Sequence, residues 1–443
     1  MMWRWQHWMV VLLVTVAAVS GNNYEGLAGH QIWSLESELA VELVDQLQAQ
    51  GLLDVVAHTE RTRTVRVTPE FASLVQKELH GAGHNYSVKV EDLAKHLQEK
   101  EKDEKTRQIH RAESCTATSC PFPLTYSYMT FQQMEWYLKE LAKNPWVEVR
   151  SIGRSILDRD IWMVHIKSGE CKGRKELYPN RCRRRASSKP MAVWLEGGIH
   201  AREWISPAVT LQLIHQITKD CCVTQDLDVY VVPMANPDGY VYSWTTDRFW
   251  RKNRRSNSGS TCDGVDLNRN WDYHFGVGAS DEPCSQVYKG TKAFSEPETQ
   301  ALRDAMLQVA SKGNLKLMIA FHSYGQVLMY PWGWTADKAP DQQDMVRLGK
   351  SFVMKAKSNY GTHYRVINAA NDFYFASGST DDWSKGVLKT KYVYTLELRD
   401  EGGHGFDLPA TKILPNSMEV LAGLKAVFRK IISKKRTTNT VVL

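Results

Sequence analysis

The spacing of hydrophobic residues in the first hundred positions predicts a small module of strands and helices. Four short segments have a strand pattern, at residues 31–35, 52–57, 62–67 and 86–90. Apolar residues recur at helical spacing over residues 39–47, before a stop at Gly51, and a second helix opens at Pro69. The order strand, helix, strand, strand, helix, strand predicts a small ferredoxin-like module of the α+β class.

From residue 112 onward the pattern changes to helices that alternate with almost continuous apolar strands. Helices are predicted at residues 131–141, 207–217 and 415–432, and strands at residues 161–166, 191–195, 227–233, 315–321 and 392–398. Strands that are apolar throughout are typical of a sheet covered on both faces. The body is therefore predicted to be α/β, with a mixed and mostly parallel twisted sheet between helices. Catalytic residues are expected in loops at the strand ends.

The first 21 residues have the pattern of a secretory signal peptide. Arg4 precedes an apolar run over residues 8–19, and small residues around Ser20 suit cleavage. The run is too short to span a membrane, and the alternative of a buried N-terminal helix lacks a polar face. No second run of about 18 apolar residues follows. We therefore expect a secreted protein without a membrane partner.

The charge balance separates the same two parts of the chain. The 443 residues carry 56 Lys and Arg against 49 Asp and Glu, a net charge of +7 that is too small to indicate a nucleic-acid partner. Residues 22–111 carry 11 basic and 15 acidic side chains, a net −4, and residues 1–21 carry only Arg4, which leaves +10 on residues 112–443. The composition, 43% hydrophobic and 24% charged, excludes a disordered, collagen-like or multi-span membrane protein.

A charged segment joins the acidic front part to the basic body. Residues 91–111 have a helical pattern that contains Lys105, Arg107 and Arg111, three sites for a trypsin-like protease. We expect a front module with its linker over residues 22–111 and a body over residues 112–443, with Arg111 as the preferred cleavage site.

The eight cysteines are expected to form disulfides, because the predicted compartment is oxidising and none follows a C-x-x-C zinc pattern. Cys262 and Cys284 bracket one short loop, and Cys171 and Cys182 bracket another. Three pairings remain open for the other four, Cys115, Cys120, Cys221 and Cys222. The second loop belongs to a basic insertion at residues 169–190. Such an insertion is typical of a solvated surface loop, and the alternatives are a site of proteolytic cleavage or a patch that binds an anionic surface.

A search for catalytic patterns leaves one cluster. The sequence has no G-x-S-x-G and no H-E-x-x-H motif. His200 and Glu203 lie three residues apart just after a predicted strand, and His322 ends another strand. Catalytic zinc prefers three protein ligands from His and Glu, with a fourth position open. The spacing alone is weak evidence, since such a pair is common in proteins that bind no metal.

The residues around this cluster greatly strengthen the evidence for a catalytic zinc site. The matching segments are residues 198–204 (GIHAREW), 236–239 (NPDG), 250–252 (WRK), 264–272 (GVDLNRNWD), 322–324 (HSY), 374 with 376–378 (ASG), and 397–400 (ELRD). In this order they resemble the zinc metallocarboxypeptidases of the pancreatic A/B type over nearly all of residues 112–443. The front module, with residues 24–26 (YEG), resembles the inhibitory activation peptide of that family.

The resemblance implies a metal centre and two catalytic residues. One Zn²⁺ per chain is expected, with His200, Glu203 and His322 as its ligands. Asp266 corresponds to a carboxylate that holds the first His ligand. The resemblance makes Glu397 the general base and Arg251 the residue that stabilises the oxyanion.

The same resemblance implies a site for a peptide C-terminus. Asn268, Arg269 and Tyr374 match the residues that hold the terminal carboxylate, and Arg202 matches a subsite beyond the scissile bond. Asp381, seven residues after Tyr374, stands where the family has the floor of its specificity pocket.

An aspartate at the pocket floor implies a B-type preference for C-terminal Lys or Arg. The alternatives are an A-type enzyme in which Asp381 is neutralised, and a non-catalytic protein that kept the fold. The expected partners are peptide or protein C-termini and an activating trypsin-like protease, and the expected state is a monomer.

Overall fold

The computed structural model describes residues 24–36, 41–58, 62–99, 102, 124, 127–168, 189–220, 223–224, 226–312 and 315–440. Four predicted features lie outside these residues. They are the signal peptide, the cleavage sites Lys105, Arg107 and Arg111, nearly all of the basic insertion, and the cysteines 115, 120, 171, 182, 221 and 222.

The front module has the predicted order of strands and helices. Its strands are β1 (Gln31–Glu36), β2 (Asp54–His58), β3 (Thr62–Val67) and β4 (Tyr86–Val90), and its helices are Val41–Ala49 and Ala72–Gly81. The strands form one antiparallel sheet in the order β2-β3-β1-β4. Val65 and Val67 lie in the module's hydrophobic core, whereas Arg66 is buried against the body.

The body contains one mixed sheet of eight strands, as the sequence predicts in outline. The strands are β5 (Val147–Arg154), β6 (Asp160–Ile166), β7 (Met191–Gly197), β8 (Leu227–Val232), β9 (Leu315–His322), β10 (Val327–Tyr330), β11 (Arg365–Asn368) and β12 (Tyr392–Glu397). Their order is β11-β10-β12-β9-β7-β8-β6-β5. The central pairs β7–β8, β7–β9 and β9–β12 are parallel.

Helices cover both faces of this sheet, which confirms the α/β class. The helices of the body are Phe131–Leu141, Ile205–Lys219, Pro237–Thr245, Pro297–Ser311, Gln342–Tyr360, Ala369–Asp372, Thr380–Gly386 and Ile413–Thr440. One core cluster joins Val209 and Phe428 to the sheet, and a second joins Met306 and Trp383 to its other face. All seven residues of β7 are buried, in line with its apolar sequence.

The Cys262–Cys284 disulfide is present, as predicted from the loop that it closes. Within the described residues, no helix combines the length and apolar character needed to cross a membrane.

The register of the parallel strands brings the chemically important residues to one edge. His322 and Glu397 are paired across β9 and β12, and both stand at the carboxyl ends of their strands. Gly197 ends the neighbouring strand β7, three residues before His200. Loops that leave parallel strands side by side converge at the carboxyl edge of a sheet, where such folds bind ligands.

Candidate active site

Three predicted ligands converge on one point at this edge. One potential ligand atom from each of His200, Glu203 and His322 lies within 4.8 Å of the others. The Nδ1 atom of His200 is 2.7 Å from Glu203 Oε1 and 3.1 Å from His322 Nδ1. All three residues are buried. Two imidazole nitrogens and a carboxylate oxygen aimed at one point form the donor set that zinc prefers, so the residues fit a single zinc ion.

The turn after β7 presents His200 to this point. Gly198 has a φ of +70°, a conformation that L side chains rarely adopt. A Cβ there would lie 2.8 Å from the sulfur of Met234. Glycine is therefore favoured at the turn by its conformation, and a larger residue would also displace the side chain of Met234.

Asp266 fixes the orientation of the first His. Its Oδ1 atom lies 3.1 Å from His200 Nε2, which leaves Nδ1 of that ring to face Glu203 and His322. Burial lowers the pKa of His200, and this favours the neutral imidazole that binds a metal. Burial acts to raise the pKa of Asp266, but Arg251 and His200 hold it well below its usual range.

Arg251 and Glu397 lie on the border of the same site. Arg251 donates from Nη2 to Asp266 Oδ2 at 2.9 Å, and its Nη1 is 3.8 Å from Glu203. Glu397 is 8% exposed at the end of β12. Burial raises the pKa of Glu397 to about 8, although the nearby His322 acts in the opposite direction.

Asn268, Arg269 and Tyr374 stand on two loops that pack against each other. Arg269 is 2% exposed, and its Nε atom has no hydrogen-bond partner in the described part of the chain. Its guanidinium carbon lies 5.9 Å from the ring centre of Tyr374, which is 39% exposed. Gly378 has a φ of +66°, and a Cβ there would lie 2.3 Å from the carbonyl oxygen of Arg269, so the two loops meet closely.

Asp381 lies in the first turn of the helix Thr380–Gly386 and is 7% exposed. Its Oδ2 atom accepts a hydrogen bond from the hydroxyl of Thr395 at 3.0 Å, and its Oδ1 accepts from the backbone N–H of Asp382 at 2.9 Å. No Lys, Arg or His of the described residues forms an ion pair with it. Burial and the neighbouring charge of Asp381 raise the pKa of Asp382 well above its usual range.

Two polar residues of this region carry no assignment from the sequence. Glu196 is 1% exposed near the end of β7, and burial raises its pKa to about 7. Thr380, also 1% exposed, contacts both Glu196 and Asn268. A carboxylate inside the apolar run of β7 was a signal that could have singled out Glu196, whereas nothing in the local sequence distinguishes Thr380.

Arg202 is not open to solvent, because the front module covers it. It is 2% exposed and pairs through Nη1 with Asp54 of β2, while its Nη2 donates to the carbonyl of Val55 at 3.3 Å. Its guanidinium also stacks over Phe406 at 4.4 Å. The front module therefore lies directly over the part of the site that contains Arg202.

A His₂Glu donor set at the carboxyl edge of an α/β sheet, beside a second buried carboxylate and an arginine, is typical of a zinc-dependent hydrolase. Residues 134–423 match the zinc carboxypeptidase family, and the chain belongs to it. Among curated relatives, a carboxypeptidase B of Astacus astacus is 38% identical, covering 68% of this chain and 96% of the relative. Human carboxypeptidase A1 is 33% identical, covering 96% of this chain and 99% of the relative.

A solved structure shares the fold over both parts of the chain. The carboxypeptidase A of Helicoverpa armigera superposes with a TM-score of 0.77 at 26% identity, covering 91% of this chain and 97% of the other. The protein is thus a zinc carboxypeptidase of the A/B type, whose substrates are peptide C-termini, and among the described residues His200, Glu203 and His322 fit a single zinc ion.

Proposed function

We propose that the protein is a B-type carboxypeptidase, which removes Lys and Arg from peptide C-termini. Asp381 is the observation that carries this proposal, because it is a buried carboxylate with no cationic partner among the described residues. Burying an unpaired carboxylate is costly, and a substrate guanidinium or ammonium group would offset that cost. The relatives carry both A and B names, so the proposal rests on Asp381 rather than on them.

The A-type alternative requires that Asp381 be neutralised within the protein. The recorded partners of its side chain are the hydroxyl of Thr395 and a backbone N–H, neither of which is a cation. Neither hydrogen bond supplies a positive charge to neutralise the carboxylate. A pocket that ends in such a group favours a cationic side chain over an apolar one.

In the proposed mechanism, His200, Glu203 and His322 would hold the zinc ion, which would supply Lewis-acid chemistry to the substrate carbonyl and the attacking water. Glu397 accepts a proton from the attacking water and transfers it to the leaving amine nitrogen. Burial raises the pKa of Glu397 above that of an ordinary carboxylate, which makes it a stronger base. Arg251, held by Asp266, donates hydrogen bonds to the oxyanion of the tetrahedral intermediate.

We further assign the terminal carboxylate of the substrate to Asn268, Arg269 and Tyr374. A guanidinium offers a planar pair of donors that matches a carboxylate, and the buried, unpartnered Nε of Arg269 supports this role. Asn268 and Tyr374 add a neutral donor each. This carboxylate clamp restricts cleavage to the last residue of a peptide.

The preference is tested by cleavage of four matched peptides that end in Arg, Lys, Phe or Leu, after treatment of the full chain with trypsin. We expect kcat/KM for Arg and Lys to exceed that for Phe and Leu by about 30-fold or more, since an ion pair shielded from water contributes roughly 2–5 kcal/mol. Higher kcat/KM for the Phe and Leu peptides would establish the A-type alternative. Loss of turnover after chelation, and its return with added zinc, is the control for the metal.

We also propose that the protein is secreted as a zymogen. In this proposal residues 1–21 are the signal peptide, residues 22–111 the activation segment and residues 112–443 the enzyme. A trypsin-like protease cleaves the activation segment from the enzyme. The contact of Asp54 with Arg202 supports latency, because Arg202 is the residue assigned to a substrate subsite. A second, partly buried ion pair, with Arg66 Nη1 3.1 Å from Asp247 Oδ2, joins the same two parts.

Replacing Asp54 by Ala is expected to raise the activity of the intact zymogen by about tenfold or more. The substitution leaves Arg202 buried without its carboxylate, and breaking one partner of such a pair costs roughly 2–5 kcal/mol. The measurement is turnover of the uncleaved chain, followed by turnover after complete trypsin cleavage, which should be the same for variant and wild type.

Asp45→Ala is the matched control for that prediction. Asp45 pairs with Arg63 inside the front module and does not touch the body through this pair. If Asp45→Ala activates the zymogen as strongly as Asp54→Ala, the effect reflects loosening of the module rather than release of Arg202. If neither does, the Asp54–Arg202 pair does not maintain latency.

A further inference from the structure

Thr380 links a buried carboxylate to the side chain of Asn268. Its backbone N–H donates to Asn268 Oδ1 at 3.0 Å, and its hydroxyl oxygen lies 3.4 Å from the same atom. On its other side the hydroxyl is 3.2 Å from Glu196 Oε1. Thr380 and Glu196 are each 1% exposed, so water does not compete for these contacts.

These contacts decide which end of the Asn268 amide faces the substrate. The oxygen and nitrogen ends of a side-chain amide have nearly the same shape, so hydrogen bonds alone select between the two orientations. A backbone N–H requires an acceptor, and the end that faces Thr380 must therefore be Oδ1. The Nδ2 group then faces the opposite way, where it has no partner among the described residues.

Glu196 holds the threonine in the rotamer that this arrangement needs. Its Oε2 accepts a hydrogen bond from Trp194 Nε1 at 3.1 Å, which fixes the carboxyl group. Its Oε1 accepts a hydrogen bond from the Thr380 hydroxyl. The main chain of Asn268 is fixed independently, because its N–H donates to Asp266 Oδ1 at 2.9 Å. The main chain and the side-chain amide of Asn268 are therefore both held by hydrogen bonds before any substrate binds.

We propose that Thr380, held in place by Glu196, is a positioning residue that keeps the Nδ2 group of Asn268 turned toward the terminal carboxylate of the substrate. The inference rests on the proposed function, in which Asn268 belongs to the carboxylate clamp. It assigns different tasks to two adjacent residues of one helix. Thr380 serves recognition of the terminal carboxylate, and Asp381 serves recognition of the side chain of the same terminal residue.

The first test compares Thr380→Val with Thr380→Ser in the trypsin-activated enzyme. Valine keeps the branched shape and the backbone N–H, which still selects the Oδ1 end of Asn268. It lacks the hydroxyl that ties residue 380 to Glu196, so the amide is held less firmly, whereas serine keeps the hydroxyl. We expect Thr380→Val to raise KM about 3- to 10-fold, the usual range for one lost hydrogen bond, with kcat within about twofold of wild type. The rise should be the same for peptides ending in Arg and in Phe, and Thr380→Ser should restore the KM.

The second test separates the carboxylate from the side chain of the ligand. L-Arginine and agmatine, which lacks the carboxylate, serve as competitive inhibitors of the activated enzyme. Thr380→Val should weaken inhibition by L-arginine about 3- to 10-fold and leave inhibition by agmatine unchanged. Equal weakening of both, or a loss of zinc from the variant, means that Thr380 is structural and overturns the proposal. Thr380→Ala, which removes the same hydroxyl, replaces the valine variant if that one does not fold.

Asn268→Ala distinguishes failure of this inference from failure of the proposed function. If Asn268→Ala raises KM and Thr380→Val does not, the clamp stands and the role of Thr380 is wrong. If Asn268→Ala leaves KM unchanged, the clamp assignment itself is wrong and the inference falls with it. If the enzyme prefers Phe to Arg, only the B-type proposal fails, because the KM of the Thr380 and Asn268 variants is then measured with the Phe peptide.

Discussion

Glu397→Gln is expected to lower kcat/KM of the activated enzyme by roughly 10²- to 10⁴-fold, the range for loss of a general base. The amide has almost the same size as the carboxylate but cannot accept a proton from the attacking water. Glu397 is paired with His322 across two parallel strands, so its position is set by the sheet and should survive the change. The zinc content should stay at one ion per chain, because Glu397 is not among the converging ligand atoms.

His200→Ala is the matched comparison for that variant. It removes a ligand atom that lies 2.7 Å from Glu203 and 3.1 Å from His322, so we expect loss of both zinc and turnover. Metal analysis by mass spectrometry and steady-state kinetics on the same samples measure both quantities. If Glu397→Gln lost its zinc while the fold persisted, Glu397 would be a ligand and the assignment of roles would be wrong.

The sequence predicted the centre of the sheet better than its edges. The runs that became β7, β8, β9 and β12 are apolar on both faces, because helices cover them from two sides. Three strands were missed. Val147–Arg154 and Arg365–Asn368 form the two edges and are only partly buried, whereas Val327–Tyr330 is buried but has only four residues. Edge strands are stabilised by one neighbour and carry a mixed pattern that resembles a loop.

Several helices were missed as well. The helix Pro237–Thr245 is buried along much of its length, so it has no polar stripe to reveal a helical period. For this helix, tertiary packing rather than local spacing determines the structure. The helix Gln342–Tyr360 does have an amphipathic pattern, which the sequence prediction overlooked.

Sequence spacing reveals some contacts of the site, whereas others depend on how distant parts of the chain pack together. His200 and Glu203 stand on one turn, so their proximity follows from spacing, whereas His322 lies 122 residues beyond His200 and only the sheet brings it near. The contact of Asp54 with Arg202 spans 148 positions and two parts of the fold. Neither residue type nor spacing identifies such a partner, because the contact depends on how the front module docks.

Asp381→Ala is expected to lower kcat/KM for a C-terminal Arg peptide by roughly 30-fold or more. Truncating one partner of an ion pair shielded from water costs about 2–5 kcal/mol, and each 1.4 kcal/mol is about tenfold. The Phe and Leu peptides should be cleaved as well as before or better, since a neutral pocket floor no longer disfavours an apolar side chain. The terminal carboxylate is assigned to Arg269, so the change affects recognition of the side chain alone.

Asp381→Asn separates the charge of this residue from its structural contacts. Asparagine can still accept from the hydroxyl of Thr395 or the N–H of Asp382, the two hydrogen bonds that the aspartate makes. If charge sets the preference, Asp381→Asn should lose nearly as much activity on the Arg peptide as Asp381→Ala, again without loss on Phe. If instead both variants lowered kcat/KM equally for the Arg and Phe peptides, Asp381 would support the helix Thr380–Gly386 rather than bind a cation. The B-type proposal would then fail, because its pocket would lack the only buried carboxylate assigned to the substrate side chain.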